Sequence, residues 1–206
     1  MFLKNIDAET RQQIDNLLVL YYKSGGEIPI NFELLIKLLA RLTDNYIEII
    51  EDFQSKKGGI LSPVRWGFRV YVGQSDSLFQ KRFTIGHEIG HILHTYDYNE
   101  YEIPRQKPYR ESPMIFPNKE EENICDEIAG YILCPQELLI KFLEDFHNIP
   151  CQLELFRRRE RPPFHAKLKL LSEIFEIPIS KFCWYIKRQF GEEKLLSLIN
   201  STKMTT

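Results

Sequence analysis

Apolar positions along the chain follow two rhythms, one of three to four residues and one of two, and the changes between them divide the sequence. Residues 9–23 place Ile14, Leu17, Leu18 and Tyr21 on one helical stripe, and Ser24-Gly25-Gly26 stops it. After Pro29-Ile30 a second helix is predicted, with Asn31 as its N-cap and Leu34, Leu35, Leu38 and Leu39 as its buried stripe. Residues 46–53 are rich in β-branched and aromatic side chains and predict a strand. Beyond the turn Lys57-Gly58-Gly59, residues 59–64 and 67–72 predict two more, in which Pro63 suits an edge or a strand end. The helical rhythm returns over 77–96, and a long polar, proline-bearing connection follows over 97–117. Asn118 opens a further helix with Glu121 in a capping-box position, and Pro135 ends that helix at Cys134. Pro135 can itself open an amphipathic helix over 136–147. A basic connector at 157–163, a closing pair of helices at 167–175 and 180–190, and a frayed tail at 202–206 complete the reading. The elements predict an α+β fold, mostly helical, with a small antiparallel sheet packed against the helix over 77–96.

Composition changes this picture little. The 206 residues are 43% hydrophobic and 27% charged, an ordinary globular balance. No apolar run approaches the roughly 20 residues that a membrane span needs. The first residues, Met1 to Asp7, turn polar and acidic at once, unlike a signal peptide, so a cytosolic location is expected. Cys125, Cys134, Cys151 and Cys183 form no C-x-x-C pair and read as reduced core residues. The formal net charge of -2 argues against a chain built to coat nucleic acid, and no direct nucleic-acid binding is expected.

Candidate chemistry concentrates at His87-Glu88-Ile89-Gly90-His91. Residues four apart on a helix share a face, so His87 and His91 can both reach one ion at roughly 2.0–2.1 Å. Glu88, turned by roughly 100° from His87, is a poor third ligand but can lie beside the ion as a base. A surface helix with two solvated histidines is the alternative. Phe83, Ile85, Ile89, Ile92 and Leu93 oppose it, since a helix apolar on nearly every side is usually buried. The buried polar groups then need partners.

The third ligand must come from elsewhere. His94 lies roughly 10 Å along the axis from His87, too far for one tetrahedral ion; it reads as a neighbour of the site, a cleft-wall residue or a packed histidine. His147 and His165 have no ligand-like spacing. Glu122 is the better candidate, in a stripe with Asp126 and Ala129 and beside Cys125; the small residues there allow another helix to come close. Asp126 is then placed to accept the free ring N–H of His87 or His91. Glu121 is the fallback ligand, and a solvated acidic first turn, Glu120-Glu121-Glu122, is the plain alternative. Tyr96, Tyr98, Arg188 and His94 are conceivable donors to an oxyanion. Arg157-Arg158-Arg159-Glu160-Arg161 reads as a solvated connector, with a docking patch for an acidic surface as the sharper option. Spacing alone leads to a zinc hydrolase with a peptidase as the favoured kind, one Zn2+ per chain.

Arg82 to His91, read R-F-T-I-G-H-E-I-G-H, resembles the R-F-T-x-A-H-E-x-G-H core of the ImmA/IrrE metallopeptidases. Glu122 to Pro135 is similar to that family's E-x-x-A-N-x-F-A-x-x-L-L-x-P segment, with Gly86, Asp126, Ile128 and Cys134 as departures. The opening helices with the small sheet, and the tail from Phe175 to Gly191, are similar too. The resemblance implies a zincin-like metallopeptidase domain over 1–150, with 151–206 a helical extension packed on it or continuous with it. It implies a thermolysin-like site and a bacterial or mobile-element protein that cuts a helix-turn-helix repressor. A rival reading keeps the zinc but not the cleavage, as a regulator that binds a transcription factor; a third is an enzyme acting on a small amide.

Overall fold

The computed structural model describes residues 6–52, 59–94, 119–145 and 166–200. The expected loop over 97–117, the arginine-rich connector, His147, His165, Cys151, Tyr96, Tyr98 and the tail lie outside these residues. Helix α1 spans Ala8–Lys23 and buries Ile14, Leu17, Leu18 and Tyr21. Asp7 caps it, its carboxylate accepting from the Thr10 N–H at 2.8 Å. Helix α2, Phe32–Thr43, starts at the Asn31 cap and buries Phe32, Leu35, Ile36, Leu38 and Leu39. Leu34, expected on that stripe, is partly buried. Among the described residues, no helix is long and apolar enough to cross a membrane.

Three strands follow: β1 Tyr46–Asp52, β2 Ile60–Val64 and β3 Gly67–Gly73. The fold is α+β and mostly helical, as the periodicities imply, but the sheet is mixed rather than antiparallel. Its order is β1-β3-β2, with β1 parallel and β2 antiparallel to β3. The reason is the apolar face of β3. Phe68, Val70 and Val72 are buried, so this strand takes the centre and the two earlier strands flank it. The chain leaves β1, returns as β2 on the far side of β3's place, and so brings β3 in alongside β1 in the same direction. Charged and proline-bearing strands are left at the edges. Arg69 bonds Glu48 at 3.0 Å across the parallel register that pairs them, and Pro63 lies on edge strand β2.

Helix α3, Leu78–His94, is capped by Ser77 and lies against β3 and β2. Its partner is α4, Lys119–Leu133. The two helices approach through small residues. A Cβ at Gly90 would lie 3.0 Å from the Cys125 Cα, and one at Gly86 would lie 3.3 Å from the Cα and Cβ of Ala129. Helix α5, Gln136–Asp145, follows Pro135, and Phe142 packs edge-on to Phe175. Helices α6, Ala166–Ile174, and α7, Ile179–Asn200, close the described chain. The last helix was expected to stop at Phe190; instead it kinks at Gly191 (φ 79°) and continues. Glycine accommodates a positive φ without steric penalty, so the break need not end the element. Phe182, Tyr185 and Ile186 are buried, and α7 packs on α4.

The α3–α4 approach makes a differential prediction. Alanine gains helix propensity at either glycine, but at position 90 its Cβ meets backbone that cannot turn aside. Gly90→Ala should destabilise by about 1–2 kcal/mol, lowering the melting temperature by about 2–8 °C. Gly86→Ala, with slightly more room, should stay within about 0.5 kcal/mol of wild type. Thermal denaturation of both variants checks the contrast.

Candidate metal centre

His87 and His91 occupy the face of α3 that meets α4, one turn apart, with ring centroids 4.9 Å from each other. Burial of the surrounding apolar residues fixes this face, so the imidazoles cannot swing out to water; their side chains are 15% and 12% exposed. Helix α4 sets the Glu122 carboxylate opposite them. Its Oε2 is 3.2 Å from His87 Nε2, and its Oε1 is 3.2 Å from His91 Nε2. Ligands held 2.0–2.1 Å from a tetrahedral zinc are separated from each other by about 3.3 Å. The two imidazole–carboxylate separations, one to each oxygen of Glu122, are close to that spacing. Among the described residues, His87, His91 and Glu122 form the one cluster whose ligand atoms lie within 4.8 Å of one another, and no fourth protein group joins them.

The opposite ring nitrogens point to a supporting layer. His87 Nδ1 lies 2.9 Å from Asp126 Oδ1, and the other Asp126 oxygen accepts from Lys181 Nζ at 2.6 Å. His91 Nδ1 lies 3.3 Å from Cys125 Sγ and 3.6 Å from Glu121 Oε1. Glu121 thus stands on the side of His91 away from the cluster, while Glu122 faces both Nε2 atoms. Such contacts fix which nitrogen carries the proton and leave Nε2 free to ligate.

Charge and burial tune the cluster. Burial disfavours the charged form of His87, yet its bonds to Asp126 and Glu122 prevail and raise it to about 9. His91 is lowered, first by burial and then by the His87 charge. Glu88, 5% exposed, is pushed up by burial to about 7, opposed by His87. Glu122 is held below its ordinary value by its bond to His87. A carboxyl group titrating near neutrality beside two imidazoles is suited to take and return a proton.

The sequence pattern of the M78 peptidases, described as the IrrE N-terminal-like domain, matches residues 47–154, just over half of the chain. The chain belongs to the M78 peptidase family. The match bears out the resemblance drawn from Arg82–His91 and Glu122–Pro135. It runs from β1 past α5, so α1, α2, α6 and α7 of this M78 protein lie outside it. No curated protein matches the chain.

Other expected residues fall elsewhere. His94 Nδ1 is 3.3 Å from Asp7 Oδ2 and 3.5 Å from Thr10 Oγ1, which ties the end of α3 to the cap of α1. Arg188 is engaged by the buried Glu127 carboxylate. Cys125, Cys134 and Cys183 are free thiols. Sequence reasoning missed Lys181 altogether, because nothing in Ser180-Lys181-Phe182 marks the lysine as a partner of a residue on a distant helix. It also missed the second anchor of α3, where Arg82 pairs with Glu176 at 3.0 Å and donates to the Ile30 carbonyl at 2.6 Å.

The raised His87 has a pH consequence. In protein stripped of metal by a chelator, the folded state holds a proton that the unfolded chain releases between about 6.5 and 9. Folded stability should therefore fall as pH rises through that window. Zinc must displace the same proton, so its apparent affinity should rise over the same range. Denaturant titrations against pH test the first expectation. Calorimetry of zinc binding in buffers of different ionisation heat tests the second.

Proposed function

We propose that this protein is a zinc-dependent endopeptidase in which His87, His91 and Glu122 hold one Zn2+, Asp126 orients His87, and Glu88 is the general base. The observation that carries the reading is the convergence of two imidazole nitrogens and a carboxylate, their ligand atoms within 4.8 Å of one another, with Glu88 buried in the same region. When bound, zinc supplies Lewis acidity toward water and a peptide carbonyl. Glu88 takes the proton of the attacking water and returns it to the departing amine nitrogen. The Glu122 side chain is 41% exposed, so the cluster opens toward solvent on the α4 side, where substrate can enter.

A polypeptide substrate is favoured over a small amide by the edge of the sheet. A Cβ at Gly59 would collide with Glu88 Oε1, so the backbone leading into β2 passes directly over the base. Among the described residues, the outer edge of β2 has no strand partner. Free backbone donors and acceptors there can pair with an extended peptide and lay its carbonyl across the site. Resemblance to the ImmA/IrrE peptidases points to a helix-turn-helix repressor as the substrate, cut in the cytoplasm to relieve repression of a mobile element or of stress genes. A regulator that merely binds a transcription factor has no use for a buried carboxyl at position 88.

Glu88→Gln should retain stoichiometric zinc and lower cleavage of such a repressor by about 10²–10⁴-fold. His87→Ala should lose the metal together with activity. Mass spectrometry of fragments, with and without a chelator, reads both outcomes. Full proteolysis by Glu88→Gln would remove the base from the scheme, and cleavage indifferent to chelation would remove the zinc.

A further inference from the structure

Lys181 reaches the metal centre from outside the segment that matches the family. It is the first of two α7 cations that grip α4: Lys181 meets Asp126, and Arg188 meets the adjacent Glu127. The backbone carrying Lys181 is fixed, because Phe182, Tyr185 and Ile186 are buried and the Tyr185 hydroxyl donates to the Cys134 carbonyl at 3.2 Å. Its ammonium also lies 4.8 Å from the centroid of the Phe83 ring. Phe83 is buried on α3, one turn before His87. Lys181 therefore contacts the carboxylate that accepts from the His87 ring and an aromatic residue of the helix that carries His87.

We propose that Lys181 is a positioning residue for the metal ligand His87, acting through Asp126. This rests on the metal-centre reading above. With one oxygen on His87 Nδ1 and the other on Lys181 Nζ, the Asp126 carboxylate plane is fixed at both ends. Remove the ammonium and that plane can turn about its terminal torsion, which has only a broad, two-fold preference. The imidazole then loses the alignment that directs Nε2 at Glu122. The pair is part-buried, with Asp126 the more covered partner; its consequence lies in ligand orientation, and it makes α7 part of a site otherwise contained in residues 47–154.

The test uses the full chain and zinc or cobalt alone as the probe. Lys181→Met removes the charge while keeping an apolar stem on Phe83, and Lys181→Arg keeps a cation. Lys181→Gln runs beside them, so that the comparison does not hang on the folding of one variant. Zinc affinity by chelator competition should fall about tenfold in the Met and Gln variants, the low end for residues supporting a ligand. The cobalt absorption bands should shift, and arginine should restore most of the affinity. In an Asp126→Ala background the Lys181→Met change should have no further effect, since the residues act through one contact. Wild-type affinity in both neutral variants would overturn the proposal, as would an equal loss with and without Asp126. Failure of the wild-type protein to bind zinc is a separate result, and it would overturn the metal-centre reading itself.

Discussion

The distance between α3 and α4 governs the candidate site. Two imidazoles on one helix can meet a carboxylate from another only if the helix backbones come close, and side chains normally prevent that. Here Gly86 and Gly90 on α3 face Ala129 and Cys125 on α4. The resulting approach sets Glu122 at 3.2 Å from both Nε2 atoms. The same proximity brings Asp126 and Cys125 onto the far sides of the two rings, so ligand geometry and ring support arise from one packing contact.

Closeness of this kind also concentrates charge. Glu88, Glu121, Glu122 and Asp126 surround two half-buried histidines, and Glu88, Glu122 and Asp126 are shifted in different directions. Burial raises Glu88, whereas bonds to His87 lower Glu122 and help to lower Asp126. Carboxylates of the same chemical kind are thereby separated into one raised to about 7 and two held below their ordinary values. Environment makes that division.

Segments outside the family match hold this arrangement in place. The Arg82 side chain on α3 reaches Glu176 and the Ile30 carbonyl, His94 reaches the cap of α1, and Tyr131 on α4 donates to Asp15 of α1 at 2.9 Å. Helix α7 adds Lys181 and Arg188 against neighbouring carboxylates of α4. The helices at both ends of the described chain thus brace the pair that forms the candidate site, with β3 and β2 supporting α3 from another side.

Local periodicity was enough to place the elements to within a few residues, the far end of α7 excepted, because burial of a stripe or an alternating face is written in the order of side chains. It was enough, too, to propose His87, Glu88 and His91 as a unit, since a helical turn fixes their spacing whatever the rest of the chain does. Glu122 and Asp126 were legible one step less directly, through the stripe they share with the small residues of α4. Strand order was not legible: alternation marks a strand but not its neighbours, and only the burial of Phe68, Val70 and Val72 puts β3 between β1 and β2. The chain order favoured Glu122 over Glu121 only through that stripe, because adjacent residues on a helix differ in direction and that direction has meaning only once α3 is in place. Lys181, 55 positions from Asp126, acquires its partner purely from the docking of α7. The sequence by itself determined which residues share a face; tertiary packing decided which faces meet, because the apolar burial that drives folding is non-directional and leaves the pairing of surfaces to shape and charge.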